Sequence, residues 1–390
     1  MSEGRVVIVG AGPAGLSCAR SYRRHGGRLP VTMLGEERDA PYERPALSKG
    51  LLRGEVARTA LSLESPEFFA ENDVDLRVGC RAVGLDLDQR ELEIDGGELV
   101  QFEGCLLATG ARAAVPDIPG TDDDRVATLR YPDDAERLRR VATKGLRVLV
   151  VGSGFIGCEA AASMAQRGAR VTLATMEGVP QEDRLGPDVG ARIAAWLDDA
   201  GVDLVADFEL TAINPNGRAV TAVFGERRID SDLVLLALGV RRNGELGASA
   251  GLAMEGDAIR TDQRLRTAAD GIYAAGDVAM AFNPTANRRI RVEHWGEALR
   301  QGEVAGAALA GSEDEAWTQA PGFWSEIGRR TLKYVAWGDG FEDVQLTDHP
   351  GGGFTAHYVR GGELVGVLTH EADADYERGR VLVEARVSWI

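Results

Sequence analysis

The sequence predicts an α/β protein with two Rossmann-like dinucleotide-binding units and a small α+β unit at its C-terminal end. Two stretches carry this prediction, residues 6–15 and 148–157. Each begins with a run rich in β-branched residues, which indicates a buried parallel strand, and continues into glycines spaced G-x-G-x-x-G. An Ala-rich stretch with helical character follows each motif, as a strand–turn–helix unit requires.

The three glycines of each motif have separate roles. The first allows the tight turn from strand to helix, the second lets a pyrophosphate approach the backbone, and the third lets helix and strand pack closely. The following helix offers free N–H groups and its positive dipole end to the pyrophosphate. One match would be weak, because glycine turns are common, but two copies predict two bound dinucleotides. The glycines are Gly10, Gly12 and Gly15, and Gly152, Gly154 and Gly157.

Composition limits the function classes. The 390 residues are 44% hydrophobic and 27% charged, which predicts two to three globular domains. No apolar run approaches the roughly 18 residues that a membrane helix needs, and the first residues lack a signal-peptide shape, so we expect a cytoplasmic protein without membrane association. The net charge of -17 disfavours nucleic acid as a partner, although a local basic patch could still bind an acidic protein.

Cysteine and histidine spacing gives no sign of a disulfide framework or a metal site. The four cysteines form no C-x-x-C, and the five histidines show no metal-ligand spacing. Cys18 and Cys158 fall in the first turns of the two glycine-linked helices, where a small buried hydrophobe is expected.

An acidic residue follows the second predicted strand, residues 31–34. Glu36 lies 26 residues after Gly10, near the roughly 20 expected for an acid that binds an adenosine ribose. The alternative is an exposed acid in a loop.

A proline-bracketed segment follows at residues 40–52. Pro41 and Pro45 predict an extended stretch, after which Ser48 would cap a short helix. Such a segment is a poor core element but could bring Arg44 and Lys49 to a phosphate or a flavin edge.

Six segments in a specific order resemble the FAD-dependent ferredoxin reductases of bacterial oxygenase systems, with rubredoxin reductases and apoptosis-inducing factor as more distant relatives. The resemblance covers residues 5 to about 310 and implies that the first glycine motif binds FAD and the second NAD(P)H. The segments are GAGPAG at 10–15, PYERPALSK at 41–49, LLATGA at 106–111, GSGFIGCE at 152–159, AAGDVA at 274–279 and VEHW at 292–295.

The resemblance also implies a discontinuous domain plan. An NAD(P)H-binding domain, 112–238, would be inserted into an FAD-binding domain formed by 1–111 and 239–315, with an α+β domain at 316–390. The proline-rich stretch 114–120 agrees with a linker at the first crossing. Thr109, Gly110 and Gly239 belong to the strand ends at the two crossings, LLATGA and LLALGV.

Roles for site residues follow from the same resemblance. Lys49 would reach the flavin near N5 and pair with Glu159, although a carboxylate in the first turn of a helix is favourable whatever its function. Asp277 would hold the ribityl chain of FAD, or else belong to a solvated turn. Trp295 would lie beside flavin and nicotinamide, or else be a core tryptophan. The remaining cofactor-binding candidates are Pro13, Ala14, Ile156, Gly276 and His294.

The choice of nicotinamide cofactor departs from the family pattern. Thr175 stands at the strand end where NADH-preferring relatives carry an acid that binds the ribose hydroxyls and repels a 2′-phosphate. No arginine adjoins Thr175 and Glu177 is near, so the sequence favours NADH over NADPH.

Further elements are predicted from periodicity. We expect an exposed helix at 133–142, an amphipathic helix at 187–197 and a helix from about 294 whose small residues allow close packing. In the C-terminal unit we expect strands at 331–337, 353–360 and 363–369, a hairpin turn at Gly361-Gly362, and a helix from Ala372.

The family reaction is transfer of hydride from NAD(P)H to the flavin and of electrons to an iron–sulfur ferredoxin or similar carrier that feeds an oxygenase. Two alternatives remain: a flavin reductase of oxygen, a quinone or a nitro compound, and a nicotinamide-responsive flavoprotein without catalytic duty. We expect a monomer or homodimer. An acidic ferredoxin would dock on a basic patch, unless the candidate clusters are only solvated faces; they are Arg329, Arg330 and Lys333, and Arg378 and Arg380.

Overall fold

A computed structural model describes residues 4–389. The first glycine motif follows the central strand of a five-stranded parallel sheet. This strand, Val6–Val9, pairs on one side with Val31–Gly35 and on the other with Gly104–Leu107. The outer strands are Val74–Val78 and, after a long excursion of the chain, Ile272–Ala274. The chain therefore leaves this sheet after residue 107 and later returns to its outer edge.

The excursion forms a second five-stranded parallel sheet around Arg147–Val151. Its order is Val202–Val205, Arg170–Ala174, Arg147–Val151, Leu233–Leu236 and Val126–Ala127.

The two parallel sheets are built alike. Val9 pairs with Leu34 in the first, and Val151 pairs with Ala174 in the second. The N–H of Gly10 donates to the carbonyl of Leu34, and the N–H of Gly152 donates to the carbonyl of Ala174, at 2.8 Å in both sheets. This register makes Glu36 equivalent to Met176 and Glu37 equivalent to Glu177.

Short sheets surround these units, all antiparallel except for one parallel pairing, Ala258–Thr261 with Ala279–Asn283. The sequence did not predict them because their strands are short and several are largely polar. Two are three-stranded, one is four-stranded and one is a two-stranded ribbon at the two crossings. Their strands are Ala82–Asp86, Glu91–Ile94 and Glu98–Gln101; Ala212–Asn216, Ala219–Phe224 and Arg227–Ser231; Met254–Glu255, Ala258–Thr261, Ala279–Asn283 and Arg288–Arg291; and Ala111–Ala113 with Val240–Arg242.

The C-terminal unit is an antiparallel five-stranded sheet covered by one helix, Asp373–Glu384. The three predicted strands and the helix are confirmed, and the hairpin turn has positive φ at both Gly361 and Gly362 (56° and 75°). Two further strands, Gly322–Ile327 and Asp343–Asp348, were not predicted, and most residues of the second are polar and exposed. The sheet order is Gly322–Ile327, Arg330–Ala336, Glu363–His370, Phe354–Arg360 and Asp343–Asp348.

The helices agree with most predictions. Pro187–Asp199 is amphipathic as expected, but the helix predicted as exposed at 133–142 runs over Pro132–Val141 and buries Ala135 and Leu138. The remaining α-helices are Pro13–Arg24, Gly50–Arg53, Pro66–Glu71, Phe155–Gln166, Glu182–Leu185, Glu245–Ser249 and Trp295–Leu309; the 3-10 turns are Arg44–Ser48, Arg58–Leu61 and Gly276–Val278.

The proline-bracketed segment differs from its prediction. Tyr42 forms an isolated β-bridge with Ser62, but the chain then turns into the 3-10 helix Arg44–Ser48. The predicted short helix follows at Gly50–Arg53, and Ser48 ends the 3-10 turn without capping it. Its hydroxyl instead donates to a carboxylate 111 residues away, Glu159. Tertiary bonding therefore overrides the local capping preference.

Helix Trp295–Leu309 packs closely on the first glycine-motif helix, as its small residues predicted. A Cβ on Gly302 would lie 2.2 Å from the carbonyl oxygen of Ala14, and one on Gly306 would lie 2.3 Å from that of Cys18. Contacts this short exclude any side chain at either glycine. Within residues 4–389, no helix is both long and apolar enough to cross a membrane.

Candidate functional site

The first glycine motif has the geometry that its spacing predicts. Gly10 has φ of 119°, and a Cβ there would lie 2.1 Å from the carbonyl oxygen of Ala108. A Cβ on Gly15 would lie 2.0 Å from the carbonyl oxygen of Gly10. Gly12 differs, because a Cβ there would meet nothing within 4 Å. The outer glycines are therefore required by packing, while the middle one keeps open the space that a pyrophosphate would fill.

The second motif repeats this geometry. Gly152 has φ of 104° and its Cβ would lie 2.4 Å from the carbonyl oxygen of Ala237, while that of Gly157 would lie 2.0 Å from Gly152. Gly154 again faces open space. The chain thus has two equivalent places where a diphosphate can rest on a helix N-terminus.

Both motifs contribute to one cleft of about 2140 Å³. It is larger than the roughly 300–1,000 Å³ of a site for one small ligand. Four candidate residues do not line it: Gly15, Gly152, Gly157 and Thr175. The other candidate site residues line it: Gly10, Gly12, Pro13, Ala14, Glu36, Arg44, Lys49, Thr109, Gly110, Gly154, Ile156, Glu159, Gly239, Gly276, Asp277, His294 and Trp295.

One wall of the cleft carries two linked arginines. Arg44 donates to Glu37 (2.7 Å) and to the backbone carbonyl of Arg130 (2.6 Å). The guanidinium of Arg130 reaches Asp277 at 3.0 Å, and its buried Nε has no hydrogen-bond partner among residues 4–389. A buried, unpaired donor beside an open cleft fits an anionic ligand such as a phosphate.

Arg130 was missed by the sequence analysis. It lies between the proline-rich linker and the helix Pro132–Val141, and no local pattern distinguishes it from the many other arginines.

A buried ion pair joins the two glycine-motif units. Lys49 Nζ lies 2.6 Å from Glu159 Oε2, and the side chains are only 9% and 5% exposed. The same oxygen accepts a hydrogen bond from Ser48 at 2.5 Å. The chain has 44 basic residues but only three lysines, and the other two, Lys144 and Lys333, are exposed and half-buried. The structure therefore brings together the two charges that the resemblance paired.

Aromatic rings line the cleft beside this pair. The imidazole of His294 lies 4.5 Å from the ring of Phe323, which also contacts Phe155 at 4.5 Å. Burial lowers the pKa of His294 to about 4, so the ring is neutral at neutral pH. Trp295 is half-buried and begins the following helix, so it is neither a fully buried core residue nor a surface one.

The two adenosine-binding ends differ. Glu36 is exposed at the end of its strand, with Arg81 3.7 Å away. Thr175 is only 4% exposed, its hydroxyl is 2.7 Å from that of Ser153 and it does not line the cleft, so its role in binding a cofactor stays a prediction. Glu177 is the charged group beside the second glycine loop, where Ser153 donates to it at 2.9 Å.

The predicted basic clusters are largely paired with acids. Arg330 lies 3.2 Å from Asp199, and Lys333 lies 2.7 Å from Asp373. Arg380 is 2.9 Å from Glu377. Most of this charge is therefore locally balanced, which favours the alternative that these clusters are solvated faces.

Cys18 and Cys158 are fully buried as predicted, whereas the half-buried Cys80 lines the cleft. Burial raises the pKa of the Cys158 thiol well above its usual range. All four cysteines are unpaired, and residues 4–389 contain no group of side chains that could hold a metal ion.

Comparisons with known proteins agree with this geometry. The family described as pyridine nucleotide-disulphide oxidoreductase matches residues 4–302. The ferredoxin–NAD(+) reductase component of the anthranilate 1,2-dioxygenase system of Burkholderia cepacia is 33% identical, covering 99% of this chain and 95% of that protein. Rubredoxin–NAD(+) reductase of Pseudomonas putida is 32% identical over 84% of this chain and 85% of its own length.

A solved structure shows the same fold. The covalent putidaredoxin reductase–putidaredoxin complex aligns with a TM-score of 0.92 at 26% identity, covering 100% of this chain and 94% of that one. The predicted α/β fold and the family resemblance are thereby confirmed. The chain belongs to the pyridine nucleotide-disulphide oxidoreductase family and is an oxidoreductase.

Proposed function

We propose that the protein is an FAD-dependent reductase that takes hydride from NADH and passes electrons to a ferredoxin or similar iron–sulfur protein feeding an oxygenase. The observation that carries the proposal is the Lys49–Glu159 pair, which joins two equivalent dinucleotide-binding units across one cleft. The names of the relatives from Burkholderia cepacia and Pseudomonas putida support the same reaction.

The first unit fits FAD. The open space over Gly12 suits the pyrophosphate, and the orphaned Nε of Arg130 gives it a charged partner beside Arg44. Glu36 would bind the adenosine ribose, and Asp277 would hold the ribityl chain. The remaining cleft residues of this unit, Pro13, Ala14, Thr109, Gly110 and Gly276, would contact the cofactor through backbone or small side chains.

The second unit fits NADH better than NADPH. Gly154 leaves room for the pyrophosphate, and Ile156 and Gly239 line the cleft nearby. Glu177 is held by Ser153 and by the backbone N–H of Gln181 (3.2 Å). A carboxylate fixed beside the glycine loop would repel a 2′-phosphate.

The chain's own residues position the reactants. When bound, the flavin supplies hydride acceptance from nicotinamide and release of electrons to the acceptor. Lys49 places a positive charge at the cleft wall, and Glu159 fixes its position. Trp295, His294 and Phe323 provide apolar ring surface that excludes water, and the neutral His294 adds no competing charge.

The domain plan follows from these assignments. The FAD-binding domain would comprise residues 1–111 and 239–315, and the NADH-binding domain residues 112–238. Residues 316–390 would form the C-terminal domain. The return of strand Ile272–Ala274 to the first sheet supports this division. The free cysteines suit a reducing compartment such as the cytoplasm.

An anaerobic acceptor assay tests the proposal. FAD-loaded protein is mixed with NADH or NADPH, and a [2Fe–2S] ferredoxin, oxygen and a quinone are compared as acceptors. Fast ferredoxin reduction with NADH and slow oxidase activity support the proposal. Faster reduction of oxygen or quinone would instead identify a flavin reductase of small molecules, and sluggish turnover with every acceptor would identify a nicotinamide-responsive flavoprotein.

A further inference from the structure

The carboxylate of Glu159 is held at both of its oxygens. Oε2 accepts hydrogen bonds from Ser48 (2.5 Å) and Lys49 (2.6 Å). Oε1 accepts one from the hydroxyl of Ser325 (2.7 Å) and one from the backbone N–H of Glu326 (3.2 Å). The second pair of donors comes from the first strand of the C-terminal sheet, so three distant segments of the chain meet at one carboxylate.

The strand places its side chains on opposite sides of the Lys49 region. Trp324 is 45% exposed and its ring lies 4.8 Å from Lys49 Nζ, while Ser325 is fully buried. A fully buried hydroxyl costs free energy unless it is hydrogen-bonded, and here the partner is Glu159. The alternation of a strand therefore directs Ser325 inward onto the ion pair.

We infer that Ser325 is a positioning residue for hydride transfer, because it fixes the plane of the Glu159 carboxylate and thereby the ammonium group of Lys49. The inference rests on the proposed function. Without Ser325, Oε1 would keep only the longer 3.2 Å bond from the backbone N–H of Glu326, whereas the 2.7 Å bond from the Ser325 hydroxyl holds this oxygen closely and so defines the orientation of the carboxylate. The C-terminal unit thus completes the site formed by the other two units.

A matched control lies one helical turn away from Glu159. Ser163 is 2% exposed, and its hydroxyl donates to the carbonyl of Ser48 at 2.7 Å without touching the carboxylate. S163A removes a buried hydroxyl from the same region and leaves the Glu159 hydrogen bonds in place. S325A removes the proposed contact, and S325C keeps nearly the same volume while replacing a strong donor with a weak one.

The first readout is the reactivity of Lys49, measured in FAD-loaded protein without nicotinamide. Because the chain has three lysines, mass spectrometry can follow acylation of Lys49 with Lys144 and Lys333 as internal references. We expect S325A and S325C to raise the acylation rate of Lys49 by about 10-fold over wild type. S163A should leave it unchanged. Equal rates in S325A, S325C and S163A would overturn the inference.

The second readout is the limiting rate of flavin reduction by NADH in stopped flow. We expect S325A and S325C to lower it about 10-fold with a smaller change in the apparent Kd for NADH. An effect of S325A without one of S325C would assign the change to lost volume and overturn the inference. If NADH does not reduce the flavin of the wild type at all, the proposed function fails. If the wild type is reduced but S325A and S163A have equal rates of flavin reduction, only the role of Ser325 is refuted.

Discussion

Lys49 and Glu159 form an ion pair at 2.6 Å that is buried between the two dinucleotide-binding units. Burying two charges costs free energy of desolvation, which is offset only when the charges are paired and hydrogen-bonded. Here the hydroxyl of Ser48 also donates to the Glu159 oxygen that contacts Lys49. The pair therefore has two separable contributions, one to stability and one to positioning at the cleft.

Separating these contributions requires single and double variants. K49M should lower the free energy of unfolding by about 3 kcal/mol, because it leaves the buried Glu159 without its counter-ion. K49M/E159Q should regain most of the lost unfolding free energy, yet NADH should reduce its flavin slowly. Denaturant unfolding and stopped-flow reduction by NADH measure the two effects, and a double variant with wild-type reduction would refute the role of the pair.

The glycine motifs should respond to alanine in opposite ways. G12A should fold normally but weaken FAD binding at least about 10-fold, because its methyl group would enter the pyrophosphate space. G10A should instead prevent folding, since its Cβ would overlap the Ala108 carbonyl. In the second unit, G154A should weaken NADH binding and leave the FAD content unchanged. Thermal unfolding and ligand titration distinguish these results, and unchanged FAD affinity in G12A would contradict the assignment.

Arg130 should be a major FAD contact. R130Q removes a charged partner of the proposed pyrophosphate, and loss of such a bond is worth about 1.5–3 kcal/mol, or roughly 10- to 100-fold in affinity. The exposed Arg140 lies in the adjacent helix, so R140Q is the control. Equilibrium dialysis with FAD measures both, and equal affinities for the two variants would exclude Arg130 from the site.

His294 should make stability depend on pH. Its pKa is lowered from 6.5 to about 4 by burial, so the unfolded chain binds a proton between these values while the folded chain does not. Stability is therefore fully present above pH 6.5 and falls by about 3 kcal/mol as the pH drops to about 4. H294Q should show a correspondingly smaller loss over this range in denaturant titrations, and an identical loss would remove His294 as the cause.

Glu177 should determine the preference for NADH. Wild type should favour NADH over NADPH in kcat/KM by at least about 10-fold, since the fixed carboxylate opposes a 2′-phosphate. E177Q should narrow this ratio mainly by improving NADPH. D203N is the control, because it removes one negative charge at an exposed position in the outer strand Val202–Val205 of the same sheet. A ratio that E177Q leaves unchanged would place the discrimination elsewhere.

The local features of the fold were predictable from sequence. The spacing of the glycines predicts the turns at Gly10 and Gly152, and the pair Gly361-Gly362 predicts a hairpin. These turns need positive φ, which glycine adopts readily, so the local sequence is enough to predict them. The Lys49–Glu159 pair spans 110 positions and came only from the family resemblance.

Contacts made across the fold were not predictable from sequence. Ser48 has the residue type of a helix cap but bonds to Glu159, and Ser325 occurs in a strand without any local sign of its partner. The sequence also does not show that the Thr175 hydroxyl turns towards Ser153. Nor does the sequence show that Glu177, two residues after Thr175, has its carboxylate beside the second glycine loop, where it accepts a hydrogen bond from Ser153.

The central claim is that FAD and NADH meet at the cleft that Lys49 and Glu159 bridge. Anaerobic titration of the FAD-loaded protein with NADH, followed by the flavin absorbance, tests it most directly. We expect stoichiometric bleaching in wild type and much slower bleaching in K49M/E159Q. A protein that takes up no FAD, or whose flavin spectrum NADH leaves unchanged, would contradict the claim.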